Sequence, residues 1–354
     1  MTRITLADVA NELGLSKTTV SRALAGYPDV AEKTRVRVQQ AVDELGYVPD
    51  RRAQQLRRQR ADAIGLVLPT AEARFTDPYF SEFLAGVGHE LANHDIDLLV
   101  SAGKPGKHEQ QVYQRIVSGR RVDGFLIVRT RRDDWRIQFL IQANIPVVAF
   151  GRTEMAVQIP HIGVDGKAGI TQLVTHLVQQ GHRRIAFISA PNGLTLQADR
   201  IGGYEAGLEL HSLARDERLI ASGNLTRVSG YEAARYLLTL DNAPTAIIGA
   251  NDLTALGAMR AAQERGLVVG NDIAIAGFDG TDAAEHAHPP LTTLYQPVYD
   301  IGQQVSQMLL ALIQGKPTGP PWPLLTPKLM ARASTTGEFP AGFRSRGPFA
   351  KEVT

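Results

Sequence analysis

The sequence predicts an all-α N-terminal helix-turn-helix domain with a hinge helix, followed by an α/β core of two lobes built on parallel sheets. Three observations lead there. Short apolar stripes at helical spacing meet across Gly14 near the N-terminus. From Ala61 onward, continuous apolar runs such as Ile64-Gly65-Leu66-Val67-Leu68 alternate with amphipathic stretches, the pattern of parallel strands covered on both faces. Between the two regions, residues 51–61 carry five arginines and no acidic residue. A length of 354 residues suits two or three domains.

In the first helix, Leu6, Val9, Ala10 and Leu13 keep one face apolar, with Thr5 placed as its N-cap. Gly14 supplies a turn. Ser16 is the next cap candidate, and Val20, Ala23 and Leu24 form the second buried stripe before Gly26 ends it. Val38, Ala41, Val42 and Leu45 make the third stripe, closed by Gly46. Three short helices with a tight turn between the first two describe a helix-turn-helix, whose second helix enters a major groove.

That helix has a small buried face and offers Lys17, Thr18, Ser21 and Arg22 on the other side. Lysine or arginine can reach guanine O6 and N7, whereas hydroxyls discriminate less. A solvated polar face on an ordinary helical hairpin would read the same way. The downstream segment favours DNA. Arg51, Arg52, Arg57, Arg58 and Arg60 surround Ala53-Gln54-Gln55-Leu56, too short and too charged for an independently stable helix. Such a segment orders naturally on a polyanion. Leu56 has no core to join, but could wedge between base pairs from the minor groove.

The core is expected to begin at residue 62. Strands are expected at Ile64–Leu68, Ile96–Val100, Gly124–Val128, Pro146–Phe150, Ile185–Ser189, near Leu219, at Ala246–Gly249 and at Ile273–Gly277. Helices are expected at Tyr79–Asn93, His108–Ser118, Trp135–Ala143, Ala168–Gln180, Ala198–His211, Tyr231–Leu240 and Leu253–Gly266. Sheets of this kind bind ligands at the carboxyl ends of their strands, and a cleft between two lobes suits a small molecule. Arg200 falls at an expected helix start, where a cation opposes the helix dipole unless a partner compensates. Asn251 and Asp279 follow strands. Arginine, amide and carboxylate together suit a polyol, whose hydroxyls both donate and accept. Helix capping by Asn251 and Asp252, and a turn at Asp279, are the plainer readings.

Thr5-Leu6-Ala7-Asp8-Val9-Ala10, Leu15-Ser16-x-x-Thr19-Val20-Ser21-Arg22-x-Leu24, Thr34-Arg35-x-x-Val38 and Leu45-Gly46-Tyr47-x-Pro49 resemble the DNA-binding head of lac repressor-type regulators. Ala250-Asn251-Asp252-x-x-Ala255-x-Gly257-Ala258, Gly277-Phe278-Asp279 and Pro289-Pro290-Leu291-Thr292-Thr293 extend the resemblance through the core, to about residue 335. It implies that Lys17, Thr18 and Arg22 read bases, and that Thr5, Ser16, Thr19 and Ser21 hold phosphates. Leu56, with Ala53 and Gln54 beside it, would open the minor groove. It further implies a periplasmic-binding-protein-like core with an effector between its lobes, contacted by Arg200, Asn251 and Asp279 and faced by the aromatics of Asp77-Pro78-Tyr79-Phe80. Asp165 is a further candidate contact, and Phe75, Tyr79, Phe80 and Arg129 are the expected substitutes where this chain departs from the family.

The same resemblance sets the domain bounds. The head spans 1–49 and the hinge 50–61. Lobe 1 covers about 62–161 and 292–320, and lobe 2 about 162–291 and 321–335, so the chain crosses back near its end through Leu291–Tyr295, helix Val298–Gln314 and strand Leu324–Ser334. Residues 336–354, rich in glycine, proline and charge, read as a disordered tail.

Three departures stand out. Ala31 occupies a position where relatives cap the third helix with serine, and Asp29 is the expected substitute. Leu225 stands where several relatives place an aromatic platform, and Gly151-Arg152 where an acidic or aromatic residue is common. The pocket should therefore suit a different ligand. The overall pattern most resembles regulators of α-glucoside or disaccharide uptake.

Composition excludes several alternatives. The chain has no cysteine, so disulfides, thiolate metal sites and cysteine nucleophiles are ruled out. The net charge of +2 divides into +4 for residues 1–60 and −2 for the remainder, with the basic excess where DNA should lie. The N-terminus lacks the apolar run of a signal peptide, and no apolar stretch approaches a membrane span, so a cytoplasmic protein is expected. Gly86-Val87-Gly88 falls inside an expected helix and reads as helix packing, and Gly103-Lys104-Pro105-Gly106-Lys107 reads as a βα turn. His176 and His182 lack companions at metal-ligand spacing, and Asp133-Asp134 and His286/His288 read as solvated loop.

No catalytic constellation and no cofactor motif emerges. The expected protein is a homodimeric, sugar-responsive repressor that binds a near-palindromic double-stranded operator and touches no membrane. The rival reading is a cytoplasmic sugar-binding or sugar-modifying protein whose helical N-terminus serves assembly.

Overall fold

The computed structural model describes residues 4–47, 60–69 and 77–337. The chain divides into two compact units, residues 1–61 and 62–354.

Among its described residues the first unit holds three helices, α1 (Leu6–Leu13), α2 (Lys17–Leu24) and α3 (Glu32–Leu45). Each expected stripe is buried: Val9 and Ala10, Val20 and Ala23, then Val38, Ala41 and Val42 close on one another around Val30. Gly14 sits at φ +64, the left-handed conformation that reverses the chain within a residue. At the start of α1 the Asp8 carboxylate accepts from the Thr5 amide (2.8 Å) and from its hydroxyl (2.7 Å). Ser16 caps α2 by accepting from the Thr19 amide at 3.0 Å. The expected cap for α3 does not form. Ala31 is its N-cap without a side-chain bond, and Asp29 pairs with Arg22 instead.

The second unit contains two parallel sheets. One is formed by β1 (Ala63–Pro69), β2 (Asp97–Gly103), β3 (Gly124–Ile127), β4 (Val147–Phe150), β5 (His161–Val164) and a late strand, Leu324–Leu325, in the order late strand-β5-β4-β3-β1-β2. The other is formed by β6 (Ile185–Ser189), β7 (Ile220–Ser222), β8 (Ala246–Gly249) and β9 (Ala274–Ala276), in the order β7-β6-β8-β9. The two-residue period of a strand places Ile185 and Phe187 in one apolar cluster, and Ala186 and Ile188 in another on the opposite face. Helices 166–179 and 195–210 cover the first face, while 227–237 and 252–264 cover the second.

The chain crosses between lobes three times. From β5, next to the edge of the first sheet, the chain enters helix 166–179 of the second lobe. Thr293–Tyr295 pairs antiparallel with Lys328–Met330 and bridges to the second sheet through Ala276–Thr292 and Asp279–Tyr295. Helix 298–313 then returns to the first lobe, burying Val298, Ile301, Val305 and Leu309 against Phe80, Phe83 and Val87 of helix 78–92. The crossings are thus displaced from those expected. Residues 161–164 and 324–325 pair within the first sheet, and 292–295 belongs with the second. The expected strand 324–334 is broken at Pro327, which cannot donate to a ladder, and finishes as a helical turn, Ala333–Thr336.

Gly86 is helix packing, as its position predicts. A Cβ there would collide with the Tyr299 carbonyl oxygen, and one at Gly302 with the Phe83 carbonyl, so the two helices touch backbone to backbone. Residues 104–106 form the connection between β2 and the following helix. Of the tail, residues 338–354 lie outside the described residues.

Candidate functional site: recognition helix and interlobe cleft

In the first unit, α2 buries Val20 and Ala23 and exposes Lys17 and Thr18, with Ser21 and Arg22 half-buried beside them. The Arg22 guanidinium pairs with Asp29 and lies over the Tyr27 ring at 4.6 Å. It is therefore oriented by its own chain. The Ser16 and Thr19 hydroxyls bond to each other at 2.9 Å. Ala53, Gln54 and Leu56 of the expected hinge, and Phe75 of the expected pocket, lie outside the described residues.

In the second unit, one cavity of about 780 Å³, its open mouth included, lies between the lobes. Its walls come from the carboxyl ends of strands in both sheets, where such sheets place ligands. β3 leads to Val128, Arg129 and Thr130, and β4 to Phe150, Gly151 and Arg152. In the second lobe β6 leads to Thr195, Leu196, Asp199 and Arg200, β7 to Leu225, β8 to Asn251, and β9 to Phe278 and Asp279. Gln296, on the crossover, completes the floor.

Tyr79, Phe80, Arg129, Arg200, Asn251 and Asp279 are thus brought together from five separate segments. Asp165 is not among them. Its carboxylate caps helix 166–179, accepting from the Ala168 amide at 2.9 Å, while its neighbours Val164 and Gly166 reach the wall. The capping reading of Asn251 also holds: Oδ1 accepts from the Thr254 amide (3.0 Å) and hydroxyl (2.6 Å), while Nδ2 donates to Leu225 O at 3.3 Å. Asn251 is both a cap and a wall residue. Asp252 points away from the cavity, accepting from the Thr281 amide (2.8 Å) and hydroxyl (2.9 Å) and from the Thr293 hydroxyl (2.6 Å). Burial pushes its carboxyl up to about 6.

Arg200 lies in the second turn of a helix that starts at Thr195, three residues earlier than expected. Its Nη1 donates to Ala250 O, its guanidinium covers the Phe278 ring at 3.8 Å, and Nη2 is 3.9 Å from Asp279 Oδ1. Nε is buried without a hydrogen-bond partner, as is Thr195 Oγ1 on the same wall. Burial lowers the Arg200 pKa and raises that of Asp279 well above the carboxylate range. Asp279 sits at φ +126, a backbone conformation that non-glycine residues rarely adopt, and accepts from Gln296 Nε2 at 2.8 Å.

Across the cleft Tyr79 stacks on Phe150 (6.0 Å between centroids) and meets Phe80 edge-on (5.4 Å). Arg129, at φ +49, covers the Phe80 ring at 4.8 Å and lies 3.3 Å from Asp77. Burial raises the Asp77 carboxyl, with Arg129 opposing the shift.

Sequence reasoning missed several wall residues: Asp77, Thr130, Phe150, Thr195, Asp199, Phe278 and Gln296. Thr130, Phe150 and Phe278 lie at or just after an expected strand end, so strand ends alone would have flagged those three. Gln296 carries no such signal. Among the described residues no group of acidic or histidine side chains could hold a metal, and no helix is long and apolar enough to cross a membrane.

A helix-turn-helix head joined in one chain to a two-lobed core with a strand-end cleft defines a ligand-responsive DNA-binding regulator. Comparison with known proteins narrows this class. Residues 5–50 match the model for bacterial regulatory proteins of the lacI family, and residues 174–335 match the periplasmic binding protein-like domain. The HTH-type transcriptional regulator CelR of Thermobifida fusca is 35% identical over 338 residues, 94% of this chain and 98% of the relative. The solved CelR-cellobiose complex superposes with a TM-score of 0.72 at 33% identity, covering 94% of this chain and 100% of that one. The lac repressor dimer bound to operator and the anti-inducer ONPF gives a TM-score of 0.82 at 30% identity, covering 94% and 99%. The chain belongs to the lacI family of bacterial transcriptional regulators.

Proposed function

We propose that the protein is a repressor whose hold on its operator is set by a sugar bound in the interlobe cleft. The observation that carries the sugar is the cleft wall. Two buried polar atoms, Arg200 Nε and Thr195 Oγ1, have no protein partner. The residues that carry them line a cavity also walled by the aromatic rings of Tyr79, Phe80, Phe150 and Phe278, with the two atoms themselves buried just behind its surface. Unpaired buried polar groups are costly, and a ligand hydroxyl would satisfy both atoms. Aromatic faces supply the apolar complement to a pyranose ring. A mono- or disaccharide fits, and a disaccharide is the reading supported by the CelR-cellobiose likeness. Arg200, Asn251, Asp279, Tyr79, Phe80 and Arg129, with Phe75, would contact it.

On DNA, Lys17, Thr18 and Arg22 would reach base edges while Thr5, Ser16, Thr19 and Ser21 hold phosphates. Ala53, Gln54 and Leu56 would enter the minor groove at the operator centre. A homodimer, as in the lac repressor complex, would set two recognition helices about 34–36 Å apart on a near-palindrome. No catalytic role and no cofactor is assigned, and operator binding supports a cytoplasmic location. Control requires only that the sugar bind one lobe arrangement better than the other, by about 1–3 kcal/mol.

The test is binding to the DNA upstream of the protein's own gene, followed by fluorescence anisotropy and titrated with mono- and disaccharides including cellobiose. Release by one sugar establishes repression and induction together. Absence of specific binding at low salt would overturn the DNA reading, and indifference to every sugar would overturn the effector class.

A further inference from the structure

The two lobes touch directly along the wall of the cleft. The turn leading into helix 195–210 pairs by main chain with the segment that follows β3. The Thr195 amide donates to Thr130 O at 3.0 Å, the Arg132 amide donates to Gly193 O at 3.2 Å, and Arg131 bridges Leu194. One helical turn further on, Arg152 Nη2 donates to Asp199 Oδ2 at 2.8 Å, joining the end of β4 to the same helix. The second lobe is thus tied by a single short segment to two neighbouring strand ends of the first. Those strand ends approach each other closely, because a Cβ at Gly151 (φ +113) would collide with Thr130 Oγ1.

Behind the first tie lies a buried ion network where a solvated loop was expected at Asp133-Asp134. Asp134 is wholly buried. Arg136 donates to Asp134 through Nε (2.8 Å) and Nη2 (2.6 Å), and holds the carbonyls of Val128 (3.2 Å) and Arg129 (3.0 Å). Asp134 also accepts from the Arg131 amide at 3.0 Å, and Glu109 from the Arg131 side chain at 2.7 Å. A guanidinium that grips successive carbonyls fixes the unusual turn at Arg129 and presents Thr130–Arg132 for pairing. Breaking such a buried set is far costlier than breaking an exposed pair, so the first-lobe half of the contact is rigid.

We propose that Arg152–Asp199 and the main-chain bridge beside it form a clasp that sets the resting balance between open and closed lobes, and with it the sugar concentration at which the regulator responds. Arg152 and Asp199 then act as positioning residues, whether or not they also touch sugar. The clasp adds a fixed bias toward closure, and a sugar that prefers the closed form binds in proportion to the closed fraction.

The magnitude of the threshold depends on the sugar reading above; the clasp itself can be measured without ligand. The chain has no cysteine, so spin labels at Gln142→Cys and Glu209→Cys, one exposed site on each lobe, report the interlobe distance in the full-length protein. Labelled chains diluted with unlabelled ones avoid distances between subunits. Arg152→Asp and Asp199→Arg should each lengthen and broaden the ligand-free distance, and raise the sugar midpoint for operator release about threefold to tenfold. The double exchange should restore both. Unchanged distances in the single variants, or a double exchange that restores neither readout, would overturn the clasp. Altered distances with no response to any sugar would leave the clasp standing and overturn the effector reading instead.

Discussion

Arg200 and Asp279 face each other at 3.9 Å, beyond hydrogen-bond reach, although both are buried. The carboxylate is engaged by Gln296 and the guanidinium by Ala250 O and the Phe278 ring, so neither completes the other. Desolvation disfavours the charged form of each, lowering one pKa and raising the other. A gap between a cation and a carboxyl, each held by other partners, is a place for a hydroxyl that accepts from one and donates to the other.

Arg200→Ala should therefore remove the response to sugar while leaving operator binding in its absence. Hydrogen bonds to a charged group contribute about 1.5–3 kcal/mol, so sugar affinity should fall about 10-fold to 100-fold. Arg200→Lys should recover little, because an ammonium cannot reproduce the planar fork. Isothermal titration with the inducing sugar, beside operator anisotropy, separates the two effects.

In the head, Arg22 and Leu56 should fail in different ways. Arg22→Ala should cost about 1–3 kcal/mol and relax specificity at one base pair in each half-site, since the guanidinium is aimed by Asp29 and Tyr27. Leu56→Ala should weaken operator binding but spare salt-dependent binding to random DNA. Equal losses on both DNAs would sink the wedge assignment. Competition binding on single-base operator variants across a salt series reads both outcomes.

Gly86 and Gly88 lie in the same helix but should respond with opposite signs. Gly86→Ala would drive a methyl into the Tyr299 backbone and should destabilise the core by about 1–3 kcal/mol. Gly88→Ala meets nothing within 4 Å and should stabilise by about 0.5–1 kcal/mol, through better helix propensity. Urea denaturation of the two variants gives the comparison directly.

Asp252 makes the stability of the core depend on pH. Its carboxyl is pushed up to about 6 by burial, above the unfolded value of about 3.9. The folded state therefore holds this proton more tightly. The group's contribution is full below about pH 4 and is lost as pH rises through 6, by an amount on the order of 3 kcal/mol. Relative to Asp252→Asn, the wild-type chain should lose stability between pH 4 and about 6.5 and change little above that. Urea midpoints of both proteins across this window check the sign.

Much of this was legible in the chain itself. The stripe Val20–Ala23 and the caps at Thr5 and Ser16 are local, because a helix records its buried face every three or four residues. The parallel sheets were legible because strands buried on both faces read as near-continuous apolar runs, as β3, β4, β6, β8 and β9 do. Asp134 escaped for the opposite reason. A buried ion looks like a solvated one until the partner that neutralises it is placed, and Glu109 is brought to that network only by the fold. Asp165 was misassigned as a ligand contact because a residue that caps a helix beside a pocket has the same neighbours in sequence as one that points into it.

The sequence by itself determined the class of this protein: a helix-turn-helix head, a basic hinge segment and alternating strands and helices whose ends must face a ligand. Each of these rests on short-range periodicity and local backbone chemistry. Only the tertiary structure decided which ends converge. The orphaned Nε of Arg200, the aromatic wall of Tyr79 and Phe150, and the Arg152–Asp199 tie each depend on residues far apart in the chain. Three crossings between the lobes bring them together, and no local pattern encodes such distances.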